Sequence, residues 1–167
     1  MLTLRCTQRV RTRLRLPEAP ASTGALGDWY VHLVRFGRPE FAIATSERCL
    51  LTMLLPAREL RTSPVPHLHA SLRSLLERLD VPQEYIIREL AAMQSVSFAR
   101  ASNRRVLGSM NDFVFFQASH YLTHGDDLPT IAERLAHTPM SPAIGESRGH
   151  LGLPDMLARA LLASSVV

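Results

Sequence analysis

The chain has 167 residues, 46% of them hydrophobic, with 19 lysines and arginines against 15 acids and a net charge of +4. That size and composition fit one globular domain with a core of its own and argue against disorder. All 19 of those basic residues are arginine, which excludes a Schiff-base lysine and the lysine of a phosphate-binding P-loop.

Leu2, Leu4 and Cys6 alternate with Thr3 and Arg5, the period of a strand. Thr7 is placed to cap a short basic helix running to about residue 16, where Pro17 stops it. Residues 17–27 are rich in Pro, Ala, Ser and Gly and read as a loop. Three strands are predicted next, at 29–36, 41–45 and 50–55, joined by Gly37-Arg38-Pro39 and Ser46-Glu47-Arg48. Their short connections favour an antiparallel meander. The first is apolar on both faces, as an interior strand would be.

Leu68, Leu72, Leu75, Leu76 and Leu79 repeat at helical spacing and predict a strongly amphipathic helix. Pro82 opens a second, with Ile86, Leu90 and Met93 inward. A strand is expected over 95–99. Asn103 is the predicted N-cap of a helix from 104 to about 122, with Val106, Met110, Phe113, Val114, Gln117 and Tyr121 as its buried stripe. Gly108, in its interior, costs about 1 kcal/mol relative to Ala and calls for a close backbone approach or a break. A short helix over 128–136 turns Ile131 and Leu135 inward, and a long stretch punctuated by Pro and Gly follows. Met156, Leu157, Ala160 and Leu161 point to a closing helix. No internal repeat is evident.

No run approaches the roughly 18 apolar residues of a membrane span, and the N-terminus lacks a continuous apolar signal region, so a cytoplasmic setting without membrane contact is expected. Cys6 and Cys49 lie in predicted strands without CxxC spacing and read as free buried thiols. Arg5, Arg9, Arg11, Arg13 and Arg15 precede the first acid, Glu18. Such a block is an electrostatic footprint for a polyanion, or a solvated face balanced by acids elsewhere.

Four segments carry a family resemblance: residues 1–8, Leu26-Gly27-Asp28-Trp29-Tyr30, Ser46-Glu47-Arg48, and the run from Asn103 to Asp112 with its Leu107-Gly108-Ser109-Met110-Asn111-Asp112 core. Together with Thr138-Pro139-Met140-Ser141-Pro142 they resemble the DUF6933 family of small bacterial and archaeal proteins, which has no assigned activity. The resemblance implies a unit covering most of the chain and no mechanism. Arg105 departs from it, standing where a small residue such as Ser is expected.

Several constellations compete for a function. His120 and His124 share a helix face, with Asp126 and Asp127 close by, but lack the acid between them that a zinc helix carries, so neither metal nor cofactor is assigned. Asp28, Glu47 and Asp112 support acid–base or Mg²⁺ chemistry only if the fold brings them together. Asp112 has a structural alternative, an ion pair with Arg104 or Arg105. Trp29, Tyr30, Phe36 and Phe41 near Arg35 and Arg38 form either a base-stacking surface or a core.

The expected fold is a single α+β domain spanning 1–167, an antiparallel sheet of four or five strands packed with helices. Residues 1–123 form its sheet-and-helix core and 124–167 a helical and irregular C-terminal part. The leading functional expectation is a non-catalytic binding module for a protein partner or nucleic acid, using Arg9, Arg11, Arg13, Arg104, Arg105 and Trp29. One alternative is a small metal-assisted, nuclease-like hydrolase using Asp112, Asn111 and Glu47. Another is a purely structural role for residues 103–112.

Overall fold

The computed structural model describes residues 1–8, 10, 24–35, 40–113, 118–140 and 152–164. Arg9, Arg11 and Arg13, the Gly37-Arg38-Pro39 turn, and most of the Pro/Gly-rich stretch lie outside the described residues. Five strands form one sheet: β1 (Leu2–Cys6), β2 (Trp29–Arg35), β3 (Glu40–Ser46), β4 (Thr52–Pro56) and β5 (Val96–Arg100). The described helices are α1 (Ala57–Thr62), α2 (Pro64–Arg78), α3 (Gln83–Ala92), α4 (Arg104–Asp112), α5 (Ser119–Thr123), α6 (Leu128–Ala136) and α7 (Pro154–Ser164).

The sheet is mixed, with order β4-β3-β2-β1-β5, and this corrects the expected antiparallel arrangement. β2, β3 and β4 do form the antiparallel meander their short turns demand. β1 then pairs in parallel with both β2 and β5. The connection over residues 7–28 is long enough for a parallel crossover, and α1, α2 and α3 carry the chain from the β4 edge to the opposite one. Parallel pairing is set by these long connections, to which local alternation is blind.

Register fixes which side chains share a face, because directly paired residues point the same way. Thr52, Thr45, Tyr30, Arg5 and Ala99 therefore make one row across all five strands. Thr45 and Thr52 bond each other at 2.9 Å, and Thr3 bonds Ser97 at 2.9 Å one step along. The opposite face carries Leu4, Trp29, Val31, Leu33, Ala44 and Met53, all buried. α2 and α6 pack on β4, so that edge strand is buried along most of its length. β5, on the other edge, stays partly exposed.

The leucine helix forms as predicted, with Leu68, Leu72, Leu75 and Leu76 buried. The expected closing helix forms as α7, with Ala158 and Leu162 facing the core and Met156 62% exposed. Of the helix expected over 104–122, α4 and α5 are described, while residues 114–117 are not. A methyl group added at Gly108 would meet nothing within 4 Å, so no close approach accounts for that glycine.

Candidate functional site

The motif segments far apart in sequence meet beside the row containing Arg5 and Tyr30. Arg5 Nε donates to Asp28 Oδ2 at 2.5 Å, and the Asp28 side chain is only 6% exposed. Burial works against the Arg5 charge, but the hydrogen bond and field of Asp28, with Tyr30 and Glu47 behind it, outweigh that and raise its pKa. Glu47 N donates to the Asp28 carbonyl at 2.8 Å, which ties the start of β2 to the turn after β3.

That turn presents the Glu47 side chain. Tyr30 Oη donates to Glu47 Oε1 at 3.3 Å, and Asn103 Nδ2 donates to the same oxygen at 3.3 Å. Asn103 N donates to Tyr30 Oη at 3.2 Å. Burial raises the Tyr30 pKa, while the bond from the Asn103 amide works to lower it, so the phenol stays protonated at neutral pH and acts as a donor. Asn103 Oδ1 meanwhile accepts from Arg105 N at 3.0 Å and Val106 N at 3.4 Å, forming the N-cap of α4. Asparagine suits this position because its amide is both acceptor and donor: the oxygen caps the helix while the nitrogen reaches Glu47.

The turn itself is tightly built. Ser46 Oγ donates to the Leu26 carbonyl at 2.6 Å and accepts from the Arg48 and Cys49 amides, both at 3.3 Å. Leu50 closes the turn at φ 60, an uncommon conformation held by its buried side chain. Gly27 has φ 75, and a Cβ there would lie 2.7 Å from Arg48 Cγ. Arg48 Nη1 in turn donates to the Ala25 carbonyl at 2.8 Å. Glu89, from α3, holds the same loop from beneath, accepting from Ala25 N at 3.1 Å and Leu26 N at 3.3 Å. Its carboxylate was not among the expected site residues. Its signal was an acid three positions after Ile86 and next to Leu90, on the face that those apolar residues mark as inward.

The other expected site residues sit elsewhere. Glu47 meets the N-terminal end of α4, whereas Asn111 and Asp112 lie exposed in its last turn, roughly 12–14 Å along the axis at about 1.5 Å per residue. The same geometry separates Asp112 from Arg104 and Arg105, and among the described residues Asp112 has no ion pair. Arg104 and Arg105 are exposed. Trp29 is fully buried, so its ring belongs to the core and offers no stacking face. Among the described residues its Nε1 has no hydrogen-bond partner.

Cys6 and Cys49 are both buried. Burial pushes the Cys49 thiol up to about 11, against the bonds from Ser46 and the Leu51 backbone, which leaves it unreactive at neutral pH. The His120 and His124 rings lie 4.2 Å apart, with His124 Nδ1 bonded to the His120 carbonyl at 2.7 Å. Asp126 pairs with Arg134 at 3.3 Å, and Asp127 caps α6 through Thr130 N at 2.8 Å. Among the described residues no group of three or more His, Cys, Asp and Glu could hold a metal ion, and no helix is long and apolar enough to cross a membrane.

No curated protein and no solved structure matches the chain. A family model does match, over residues 3–155, a span that includes Arg5, Asp28, Tyr30, Glu47, Glu89 and Asn103. The chain belongs to that family, described as a domain of unknown function, DUF6933.

Proposed function

We propose that the chain is a non-catalytic binding module for nucleic acid, engaged through arginines at the end of the sheet where β1 and β5 finish. The observation that carries this reading is the trio Arg100, Arg104 and Arg105. All three are exposed, and among the described residues none has an acid partner. Arg100 pairs in register with Cys6, and Ala101 N donates to the Cys6 carbonyl at 3.1 Å. The chain therefore leaves β1 beside this trio and enters the segment that carries Arg9, Arg11 and Arg13. Two basic stretches distant in sequence start from one end of the sheet, and guanidinium groups without carboxylate partners are available to phosphates.

The absence of catalysis is part of the proposal. Asp28 and Glu47 are engaged in holding loops together, and Asn111 and Asp112 sit at the far end of α4.

Fluorescence anisotropy with labelled duplex and single-stranded probes over a salt series tests the reading. Binding should weaken linearly in log salt, and each duplex phosphate left unneutralised should lower the slope by about 0.9. The triple substitution Arg100→Gln, Arg104→Gln, Arg105→Gln should flatten that slope, while Asp112→Asn leaves it unchanged. Salt-sensitive binding that survives the triple substitution intact refutes the reading. So does the lack of any such binding to either probe, which would turn attention to a protein partner.

A further inference from the structure

We infer that a recess between the β3–β4 edge and α1 is a binding site for a small organic anion with an apolar body. The recess has a volume of about 410 Å³ and is lined by Glu40, Phe41, Pro56, Ala57, Arg58 and Arg61. That volume lies within the range of small-molecule sites. Phe41 and Pro56 pair in register where the two strands meet α1, and Ala57 is buried behind them. These three supply an apolar wall.

The charge comes from the helix. Arg58 and Arg61 are three residues apart, which puts them on one face of α1. Both are exposed, and among the described residues neither has an acid partner. Two acids stand nearby, each beside another basic side chain, and Glu40 itself lines the recess. Glu40 Oε1 lies 3.7 Å from Arg35 Nη2, and Glu59 Oε2 lies 3.5 Å from His67 Nδ1. Two uncommitted guanidinium groups beside an apolar wall match a ligand with one carboxylate or similar oxyanion on an apolar body. The planar fork of arginine binds such a group through paired hydrogen bonds. This site is separate from the arginines at the β1–β5 end and does not depend on a nucleic-acid partner.

The test is a fluorescence titration of the full chain with anilinonaphthalene sulfonate, with neutral phenylnaphthylamine as its uncharged counterpart. The expected result is saturable binding of one sulfonate probe per chain, displaced by octanoate and not by octanol. Arg58→Ala with Arg61→Ala should weaken the sulfonate probe by about tenfold or more and leave the neutral probe little changed. Arg58→Lys with Arg61→Lys should retain most of the binding, and Arg104→Ala with Arg105→Ala should retain all of it. The proposal is overturned by a lack of saturable binding to the native chain, by displacement with octanol equal to that with octanoate, or by unchanged affinity in the Arg58 and Arg61 alanine pair.

Discussion

Removing the Glu89 carboxylate should loosen the loop that brings the motif segments together. The side chain is 3% exposed and accepts two backbone N–H groups, from Ala25 and Leu26. A buried donor stripped of its acceptor costs about 1–3 kcal/mol. The Leu26 amide is fully buried and belongs at the upper end, while the half-buried Ala25 amide regains water and belongs at the lower. Glu89→Ala should therefore lose about 3–4 kcal/mol. Glu89→Gln keeps one acceptor and removes a buried charge, and should lose about 1–2 kcal/mol.

The pH dependence has a definite sign. Burial raises the Glu89 pKa above 4.5, against the pull of the Leu26 and Ala25 amides. A carboxyl with a raised folded-state pKa gives stability that is full below the unfolded value and lost as pH rises through the folded one. Glu89→Gln abolishes that titration. The margin of wild type over Glu89→Gln should shrink as pH rises from about 4.5 through the folded-state pKa, then stay flat. Urea unfolding followed by the single tryptophan, the buried Trp29, reads both quantities. A Glu89→Ala variant within about 0.5 kcal/mol of wild type would refute the clamp, and a margin that grows with pH would refute the dominance of burial over the two amide bonds.

The two glycines beside the motif segments should respond in opposite directions to alanine. Gly27→Ala forces a side chain into φ 75 and onto Arg48, and should lower stability by about 2 kcal/mol in the same urea assay. Gly108→Ala meets open space inside a helix and should raise stability by about 0.5–1 kcal/mol. Asn103→Ala removes both the helix cap and the bond to Glu47, with an expected loss of about 1–2 kcal/mol, while Asn103→Asp keeps the cap and recovers part of it. A thiol-reactive dye at neutral pH should label neither Cys6 nor Cys49 in the native chain and both in urea; rapid native labelling of Cys49 would contradict its burial.

Features carried by local chemistry were legible in the sequence. The leucine spacing of α2, the Asn103 cap and the alternation in β1 and β2 are each decided by residues within a turn or two of one another. α7 was legible as a helix, but which of its faces is buried was not. Its apolar residues surround most of the helix, so only the elements packed against it select Ala158 and Leu162 over Met156.

The meeting of Arg5, Asp28, Tyr30, Glu47 and Asn103 was decided by tertiary structure alone. It depends on β1 entering between β2 and β5 in parallel, a pairing set by long crossovers and by hydrophobic faces that match only in three dimensions. Asp28 and Glu47 could be singled out by residue type, but their partners Arg5 and Asn103 lie 23 and 56 positions away in the chain. Glu89 shows the same division most sharply. Its sequence context announces a buried acid, and only the packed loop, 63 and 64 positions away, explains why burying it is tolerated.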